Sequence, residues 1–300
     1  MPELPEVETI RRGLCGFCLQ QKIKRVMINC DKSFIGPKEI IEGQRIDNIR
    51  RFGKALVFDL TGNVSMMIHL RMTGQLIYRP KGKKLGDEDS FAGGHPTDSF
   101  LNELPDKQTR VIFELEKGTL YFNDQRKFGF VKVIPTAEVE DDNFIRQLAP
   151  EPWDMDVDDF YNRLKRHKNS CIKATILDQK IICGLGNIYA DEALYYASIH
   201  PERLAGSLSE KEAENLLEGA RKVMEASINS GGSTMATYVK ADGTKGDYLR
   251  LFAKVFRREG EPCERCGTEI EKIRVAGRGT HICPYCQQKT SRQEARKVTR

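Results

Sequence analysis

The stretch PCERCGTEIEKIRVAGRGTHICPYCQ, residues 262–287, contains two Cys-x-x-Cys pairs, Cys263 with Cys266 and Cys283 with Cys286. Sixteen residues separate the pairs. This is the spacing of zinc ribbons, in which each tight turn delivers two thiolates to one tetrahedral ion. The stretch therefore predicts a small C-terminal finger folded around one structural zinc ion held by these four cysteines.

The positive charge of the chain is concentrated around this finger. Residues 257–300 carry 11 Lys and Arg against 6 Asp and Glu, so the whole formal excess of +5 lies there and residues 1–256 are balanced. Between the cysteine pairs, the segment VAGRGTH places Arg278 at a predicted hairpin tip, where a guanidinium can reach a phosphate. A basic end of this kind indicates a polyanionic partner.

The cysteine content of the whole chain indicates a reducing compartment. Nine cysteines are an odd count, without a disulfide-scaffold pattern, in a chain of 300 residues. Cys15 and Cys18 have the spacing of a redox pair, but they lie in or at the end of a predicted helix and lack the βαβ context of thioredoxin-like proteins. Cys30, Cys171 and Cys183 are interpreted as buried or incidental thiols.

The start of the chain, MPELPEVETI, does not have the pattern of a secretory signal. Glu3, Glu6 and Glu8 replace the basic start and apolar run that a signal peptide needs. No apolar stretch reaches the length of a membrane span. We therefore expect a cytoplasmic protein without a membrane segment.

Pro2 and Glu3 precede a helix predicted from Pro5 and need an explanation of their own. A small residue after Met1 usually allows the initiator to be clipped, which would expose Pro2 as a secondary amine. An α-amino group has a pKa of about 7.7–8.0, so part of it is uncharged and nucleophilic at neutral pH. With the Glu3 carboxylate beside it to move protons, the chain start is a candidate nucleophilic site.

Residues 22–135 have the pattern of β-strands. The segments KALVFDL, VSMMIHL, TRVIFEL and TLYFND are separated by turn signals. An antiparallel sandwich or barrel after one helix, whose apolar face starts at Val7 and Ile10, is the predicted architecture. Residues 79–109, rich in Gly, Lys, Asp and Ser, are predicted to form a long surface loop.

After LAPEPWD the pattern becomes helical, with a boundary near Ala149–Trp153. DFYNRLKRH, NIYADEALYYA and LSEKEAENLLEGARKVMEASI are the three predicted helices. A Ser209/Glu212 capping box begins the third, and Gly231–Gly232 ends it. The fold class is therefore α+β.

CGLGN, residues 183–187, precedes one of these helices. It fails as a dinucleotide fingerprint because Tyr189 takes the place of the third glycine. Glycines at a helix start can instead expose backbone N–H groups to a phosphate, and Asn187 can add a side-chain donor. Taken alone, the motif is more typical of a plain helix cap.

NDQRKFG, residues 123–129, places Arg126 and Phe128 at the end of a predicted strand. Two residues apart on a strand, they would share one face and could enter a duplex together. Taken alone, the motif favours an exposed strand end with a buried Phe. Met72, in HLRMTG, is likewise more often core filling near a turn.

Together these motifs resemble the bacterial formamidopyrimidine-DNA glycosylases, also called MutM. The matching segments, in order, are PELPEVET, RRFGKAL, HLRMTG, NDQRKFG, GLGNIYADEAL, GGST, DGTKG and the finger. They span nearly the whole chain. The resemblance implies an N-terminal helix with an antiparallel β-sandwich, a helical domain with a helix–two-turn–helix element, and a C-terminal zinc finger.

The resemblance also implies an activity: a DNA glycosylase and abasic-site lyase that excises oxidised purines and nicks the strand by β,δ-elimination. Pro2 would attack the sugar and form a Schiff base, and Glu3 would move protons. Lys54 would hold the phosphate beside the lesion and assist β-elimination. Arg278 would serve δ-elimination.

Further residues would bind DNA, by the same resemblance. Asn187 would contact the backbone of the damaged strand. Met72, Arg126 and Phe128 would fill the hole left by the extruded nucleotide, with Arg126 facing the orphaned cytosine. A loop after Gly232 would close over the everted base; its residues are Ser233, Thr234 and Tyr238.

The resemblance divides the chain into five segments. They are a catalytic β-sandwich domain over 2–135, a linker over 136–150, a helix–two-turn–helix domain with the lesion-capping loop over 151–256, the finger over 257–290 and a basic tail over 291–300. The expected partner is double-stranded DNA with oxidised purines or abasic sites. We expect a monomer associated with the nucleoid.

The sequence departs from the family pattern at several positions that concern phosphate contacts. DKQTR, with Gln108 and Arg110, replaces a His-containing turn, and the family usually has a basic residue near Asn169. Two alternatives stay open: an endonuclease VIII-like enzyme for oxidised pyrimidines, and a non-catalytic zinc-ribbon DNA-binding protein. The first is disfavoured by PELPE and the complete set of Met72, Arg126 and Phe128; the second requires nothing of Pro2.

Overall fold

The computed structural model describes residues 1–82, 90–95, 103–232 and 252–289. These residues form two compact units. The first contains Met1–Arg146 and residues 228–232, and the second contains Gln147–Ser227 and residues 252–289. The five segment boundaries drawn from the sequence stay predictions.

The first unit begins with helix α1, Leu4–Cys18. Glu3 is its N-cap residue. Glu3 and Glu6 form a reciprocal capping box, in which each side chain accepts a hydrogen bond from a first-turn backbone N–H group that has no partner within the helix. The face that contains Val7, Ile10 and Leu14 is completely buried. The helix predicted from the sequence is confirmed, and it starts one residue earlier than Pro5.

Among the described residues of this unit, ten strands follow in two five-stranded sheets, in the orders β1-β8-β9-β6-β7 and β2-β10-β5-β4-β3. The strands are β1 Ile23–Ile28, β2 Phe34–Ile35, β3 Ile46–Phe52, β4 Ala55–Leu60, β5 Val64–His69, β6 Gly74–Pro80, β7 Phe91–Gly94, β8 Thr109–Leu115, β9 Gly118–Asp124 and β10 Phe130–Pro135. All neighbours pair antiparallel except β2 with β10. The predicted sandwich is confirmed. The predicted surface loop over residues 79–109 is wrong in part, because β7 lies within it, pairs with β6 and buries Phe91 in the core.

The core lies between the two sheets. Phe113 and Phe122 from one sheet and Phe58 and Ile68 from the other belong to a single buried apolar cluster. Strand β5 is buried on both faces because a second cluster, which includes Val139, covers the outside of its sheet. This explains why VSMMIHL has apolar residues at three successive positions, Met66–Ile68, rather than in strict alternation.

Helix α1 packs tightly against β7 because two glycines leave room for large side chains. A Cβ at Gly13 would lie 2.1 Å from the Phe91 ring, and one at Gly93 would lie 2.5 Å from Ile10. Real carbon atoms do not approach so closely, so a larger residue at either position would push the helix off the sheet.

Glu8 fixes the same helix electrostatically. Its carboxylate is 7% exposed and accepts hydrogen bonds from Arg11 at 2.8 Å, Arg12 at 2.8 Å and Arg51 of β3 at 3.1 Å. Burial alone would raise the pKa of Glu8, but the three guanidinium groups outweigh it and lower the pKa to about 2. Glu8 is therefore an ionised, fully paired anchor between helix and sheet.

From residue 147 onward, the part of the chain that the structure describes has four α-helices and one β-hairpin. The helices are α2 Val157–Arg166, α3 Ile172–Leu177, α4 Asn187–Tyr196 and α5 Glu210–Asn229, and the hairpin strands are β11 Glu271–Val275 and β12 Arg278–Ile282. The three helices expected from the sequence are present, and the six-residue α3 was not predicted. Ser209 and Glu212 make both bonds of the predicted capping box. Gly231 and Gly232 have positive φ, as a helix end requires. In the parts of the chain that the structure describes, no helix combines the length and apolarity of a membrane span.

We predict that Glu8→Gln destabilises the protein in a pH-dependent way. A carboxyl whose folded pKa lies near 2 rather than 4.5 stabilises the fold above pH 4.5 by on the order of 3 kcal/mol, and this contribution is lost as the pH falls through the folded pKa. Urea unfolding should show the variant less stable at pH 7, with the difference shrinking below pH 4.5. Glu39→Gln, at an exposed glutamate of the same unit, is the control; a difference from wild type that is the same at pH 7 and pH 3 would contradict the prediction.

Candidate active site and nucleic-acid interface

The first turn of α1 buries the two residues proposed as catalytic. Pro2 is buried and Glu3 is 3% exposed, whereas Met1 is 43% exposed. The backbone N–H of Glu3 donates to the Glu6 carboxylate at 2.8 Å, and the Glu3 side chain accepts from the backbone of Glu6. The capping box therefore fixes the Glu3 and Glu6 carboxylates at the start of α1, and Glu3 directly follows Pro2 in the chain.

Lys54 lies in the tight turn between β3 and β4, where Gly53 has a φ of +55° and Lys54 itself is 6% exposed. The turn is tied back to α1, because Arg51 bonds both the Glu8 carboxylate and the Gly53 carbonyl, the latter at 3.1 Å. A single arginine thus connects the helix that begins at Pro2 with the turn that carries Lys54.

His69 lies close to Lys54 and was missed in the sequence. It is the cross-strand partner of Ala55 and is 5% exposed. Burial, reinforced by the charges of Arg71 and Lys54, lowers the pKa of His69 to about 3, so the imidazole is neutral. The backbone N–H of Arg71 donates to Nδ1 at 2.9 Å, so the ring proton resides on Nε2. The available sequence signal was its place in HLRMTG, three residues before Met72.

The turns at the ends of β5 and β9 present the predicted hole-filling side chains. Met72 is 39% exposed and Phe128 is 56% exposed, so the interpretations as core filler and as a buried Phe are wrong. Placing Arg126 and Phe128 on a strand is also wrong. Strand β9 ends at Asp124, and both residues lie in the following turn because Asp124 accepts hydrogen bonds that end the ladder. The Arg126 guanidinium stacks over the Phe128 ring at 4.9 Å.

Gly232 is the last described residue before the predicted lesion-capping loop. A Cβ on Gly232 would lie 3.5 Å from the Cα of Glu6, so the chain enters residues 233–251 beside the first turns of α1. Ser233, Thr234 and Tyr238 lie outside the described residues.

In the second unit, the start of α4 and the finger hairpin bring Asn187 and Arg278 into one region. Gly184 has a φ of +97° and Gly186 is the N-cap residue of α4. CGLGN therefore forms the helix cap that the motif alone predicts. The Asn187 amide donates to the carbonyl of Gly279 at 3.0 Å. Arg278, the preceding residue, is exposed and follows the two-residue hairpin turn.

Two consecutive acids of α4 attach the finger to the helices. Asp191 accepts from the Lys173 ammonium at 2.6 Å and from the backbone N–H of His281 at 3.0 Å. Glu192 accepts from three consecutive backbone N–H groups, residues 254–256. Burial raises the pKa of Glu192, although these donors oppose the shift. Lys173 and Asp191 are 0% and 1% exposed, and their partners are too distant in sequence for any local motif to reveal them.

The four ribbon cysteines fit a zinc ion. Their Sγ atoms all lie within 4.8 Å of one another, with Cys266–Cys283 at 3.5 Å and Cys263–Cys286 at 3.9 Å. Tetrahedral Zn–S bonds of about 2.3 Å place sulfur atoms about 3.8 Å apart. Although burial opposes it, hydrogen bonds from the Tyr195 hydroxyl and backbone N–H groups lower the pKa of Cys263 to about 6, which favours the thiolate. Among the described residues, no other group of three or more potential ligands comes together.

Comparison with known proteins gives a consistent result along the chain. The family model described as Formamidopyrimidine-DNA glycosylase N-terminal domain matches residues 1–131, and that described as Formamidopyrimidine-DNA glycosylase H2TH domain matches residues 148–239. The zinc finger found in FPG and IleRS matches residues 260–289. The chain belongs to the formamidopyrimidine-DNA glycosylase family.

Full-length relatives support the assignment. Formamidopyrimidine-DNA glycosylase of Listeria innocua is 40% identical over 295 residues, which cover 96% of this chain and 100% of the relative. The enzyme of Pediococcus pentosaceus is 37% identical over 294 residues, covering 96% and 99%. The family comprises DNA glycosylases that are also abasic-site lyases, so the enzyme class inferred from the motifs is confirmed.

Solved structures of the family have the same fold. The complex of the LlFpg protein with a THF-DNA and an inhibitor has a TM-score of 0.82 and 33% identity, covering 96% of this chain and 100% of that chain. Lactococcus lactis Fpg bound non-covalently to DNA with an AP site has a TM-score of 0.81 and 32% identity at the same coverage. The zinc finger match and the cysteine geometry together confirm one structural zinc ion.

We predict that removing the zinc unfolds the finger and abolishes DNA binding while the sandwich stays folded. Structural zinc contributes roughly 10 kcal/mol or more to a finger, which a small module cannot replace. Cys266→Ser should lose the metal, measured by elemental analysis, and its affinity for lesion DNA, with β-sheet circular dichroism retained. Cys30→Ser, in the first unit, is the matched control. Unchanged affinity in zinc-free protein would refute the prediction.

Proposed function

We propose that this enzyme excises 8-oxoguanine and formamidopyrimidines from double-stranded DNA and then nicks the strand by β,δ-elimination. The single observation that carries the proposal is the buried start of α1, where the Glu3 carboxylate is fixed beside Pro2. An exposed Met1 is accessible for removal, and its removal turns the Pro2 nitrogen into a secondary amine.

The first chemical step joins Pro2 to the sugar. The Pro2 nitrogen bonds to C1′ as the bond from C1′ to the damaged base breaks, and the base leaves with the electron pair and takes up a proton. The attached Pro2 nitrogen loses its proton to Glu3, Glu3 protonates the ring oxygen of the sugar, and the nitrogen lone pair opens the ring to leave a C1′=N iminium. A neutral amine is required for the attack, so the reaction should slow below the pKa of the terminal amine.

The iminium then drives strand cleavage. It withdraws electrons from the sugar, so a C2′ proton is lost and the 3′ phosphate leaves; a second elimination expels the 5′ phosphate. We assign Lys54 to the phosphate beside the lesion and to β-elimination, and Arg278 to δ-elimination. The exposed guanidinium of Arg278 and the second amide hydrogen of Asn187, whose amide already donates to Gly279, support their assignment as phosphate donors.

Chemistry at a stacked nucleotide requires its extrusion, which costs a few kcal/mol unless inserted side chains replace the lost stacking. Met72, Arg126 and Phe128 are exposed in turns that follow strands β5 and β9, which supports this role. Ser233, Thr234 and Tyr238 are assigned to the loop that covers the everted base.

Because the substrate is chromosomal, the proposal includes action as a monomer in the cytoplasm, in association with the nucleoid.

We predict that only protein lacking Met1 forms a Schiff base. With Met1 retained, the Pro2 nitrogen is an amide and cannot attack C1′. Borohydride should therefore trap the processed form on DNA with an abasic site and leave the Met1 form unlinked, as mass spectrometry of the two preparations would show. Binding to a tetrahydrofuran abasic analogue, which cannot form the adduct, is the control for folding. A trapped complex whose protein still contains Met1 would refute the proposed role of the Pro2 amine.

Arg126 should decide which base is accepted opposite the lesion. An arginine offers only donors, which suit the ring nitrogen and carbonyl of cytosine, whereas adenine places an amino donor beside its ring acceptor. One good base contact is worth about 1–3 kcal/mol of discrimination. Arg126→Ala should lose most of the preference for cytosine over adenine in excision rates, while trapping on abasic DNA persists. Lys127→Ala, the control, removes the neighbouring exposed charge and should leave the cytosine-to-adenine ratio of excision rates unchanged. If Arg126→Ala also keeps the wild-type ratio, selectivity resides in other residues.

A further inference from the structure

A buried carboxylate lies between the two turns that carry the hole-filling side chains. Asp124 is the last residue of β9 and is 0% exposed. It is the cross-strand partner of Gly74, the first residue of β6. The turn over residues 70–73 and the turn over residues 125–129 therefore leave the sheet side by side, with the Asp124 side chain between them.

One oxygen of this carboxylate fixes the second turn. Asp124 Oδ2 accepts from the backbone N–H groups of Phe128 and Gly129, both at 2.7 Å. Gly129 has to be glycine here, because a Cβ would lie 2.8 Å from the Phe122 ring and 3.0 Å from the His69 carbonyl. The backbone beneath the exposed Phe128 ring is thus held by a charged acceptor.

The other oxygen connects the second turn to the first. Asp124 Oδ1 accepts from the Thr73 hydroxyl and from the backbone N–H of Arg126, the latter at 3.1 Å. The same N–H also donates to Thr73 Oγ1 at 3.0 Å. Thr73 follows Met72 directly, so three polar groups join the backbone under Met72 to the backbone under Arg126.

The backbone of Asp124 is itself held from a third side. Its N–H donates to the Gln108 carbonyl at 2.9 Å, and its carbonyl accepts from Arg110 Nε at 2.7 Å. The DKQTR departure from the family pattern therefore contributes to the same cluster. Every contact to the two turns is to the backbone or to Thr73, which leaves the exposed Met72, Arg126 and Phe128 side chains to contact DNA.

We propose that Asp124 is a positioning residue that holds the two turns as one preassembled unit, so that the three side chains enter the duplex together. This inference rests on the proposed function. A carboxylate is required because each oxygen accepts from two donors. In Asp124→Asn, an NH₂ group replaces one oxygen and meets N–H or O–H donors, so one turn is released. Arg126 then loses its fixed position opposite the orphaned base.

The test compares two substrates in the same folded protein. Excision of 8-oxoguanine from a duplex needs the hole to be filled, whereas cleavage at an abasic site in single-stranded DNA leaves no hole. In Asp124→Asn, the ratio of the duplex rate to the single-strand rate should fall by about tenfold or more, as expected for losing a hydrogen bond to a charged group. The cytosine-to-adenine ratio in duplex excision should fall with it, a change that general destabilisation would not produce.

Two smaller variants isolate the link between the turns. Thr73→Val removes the hydroxyl without changing the side-chain shape and should lower the same ratio, and Thr73→Ser should restore it. Asp59→Asn is the matched control, because Asp59 is a carboxylate of the same unit that bonds Arg50 and Ser65 away from both turns. If Asp124→Asn fails to fold, the Thr73 pair decides the question.

The outcomes separate this inference from the proposed function. Wild-type protein that neither excises 8-oxoguanine nor is trapped on abasic DNA would refute the proposed function itself. Wild-type protein that does both, beside folded Asp124→Asn and Thr73→Val variants with unchanged ratios, would overturn the role of Asp124 alone. A lower ratio in Thr73→Val that Thr73→Ser restores supports it.

Discussion

In the proposed mechanism the reactive amine is the first residue of the processed chain, so the placement of helix α1 decides where the chemistry occurs. A chain terminus usually frays because nothing holds it. Here α1 is held at three places: the capping box of Glu3 and Glu6, the close packing at Gly13, and the anchor of Glu8 with Arg51. Each adds a different kind of force, and together they convert a terminus into a rigid site.

The sandwich serves the same purpose for the remaining residues of the first unit. Lys54, Met72 and Arg126 all lie in short turns, which on their own would sample many conformations. A largely buried strand flanks each turn: β4 follows Lys54, β5 precedes Met72 and β9 precedes Arg126. Strand β5 is buried on both faces. Polar bonds at the strand ends then fix the turns themselves, as the carboxylate of Asp124 does. The buried strands therefore fix the ends of each turn, and buried hydrogen-bond acceptors such as Asp124 fix the backbone of the turn itself.

Much of the fold follows from local patterns in the sequence, because strand alternation, a capping box and paired cysteines act over a few residues. Strands such as β4, β5, β8 and β9, the long helices and the zinc ligands were predictable for this reason, whereas β7 was assigned to a surface loop. The turn that contains Arg126 and Phe128 was not predictable. Strand β9 ends there because the Asp124 side chain accepts hydrogen bonds from the backbone of the turn, and a single buried aspartate leaves no periodic pattern in the sequence. Lys173 and Asp191 were not predicted because their bonds to the finger span 107 and 90 residues. Their own ion pair joins two separate helices.

Buried carboxylates recur wherever this molecule must hold one segment against another. Glu8, Asp124, Asp191 and Glu192 are each at most 7% exposed. Replacing a buried charge by an apolar side chain of similar volume is often neutral or stabilising, so such groups are poor devices for stability alone. A carboxylate accepts hydrogen bonds along several directions at once, whereas apolar contacts tolerate sliding. Such groups therefore favour accurate placement, and in the proposed mechanism, in which three side chains enter one duplex, placement decides the rate.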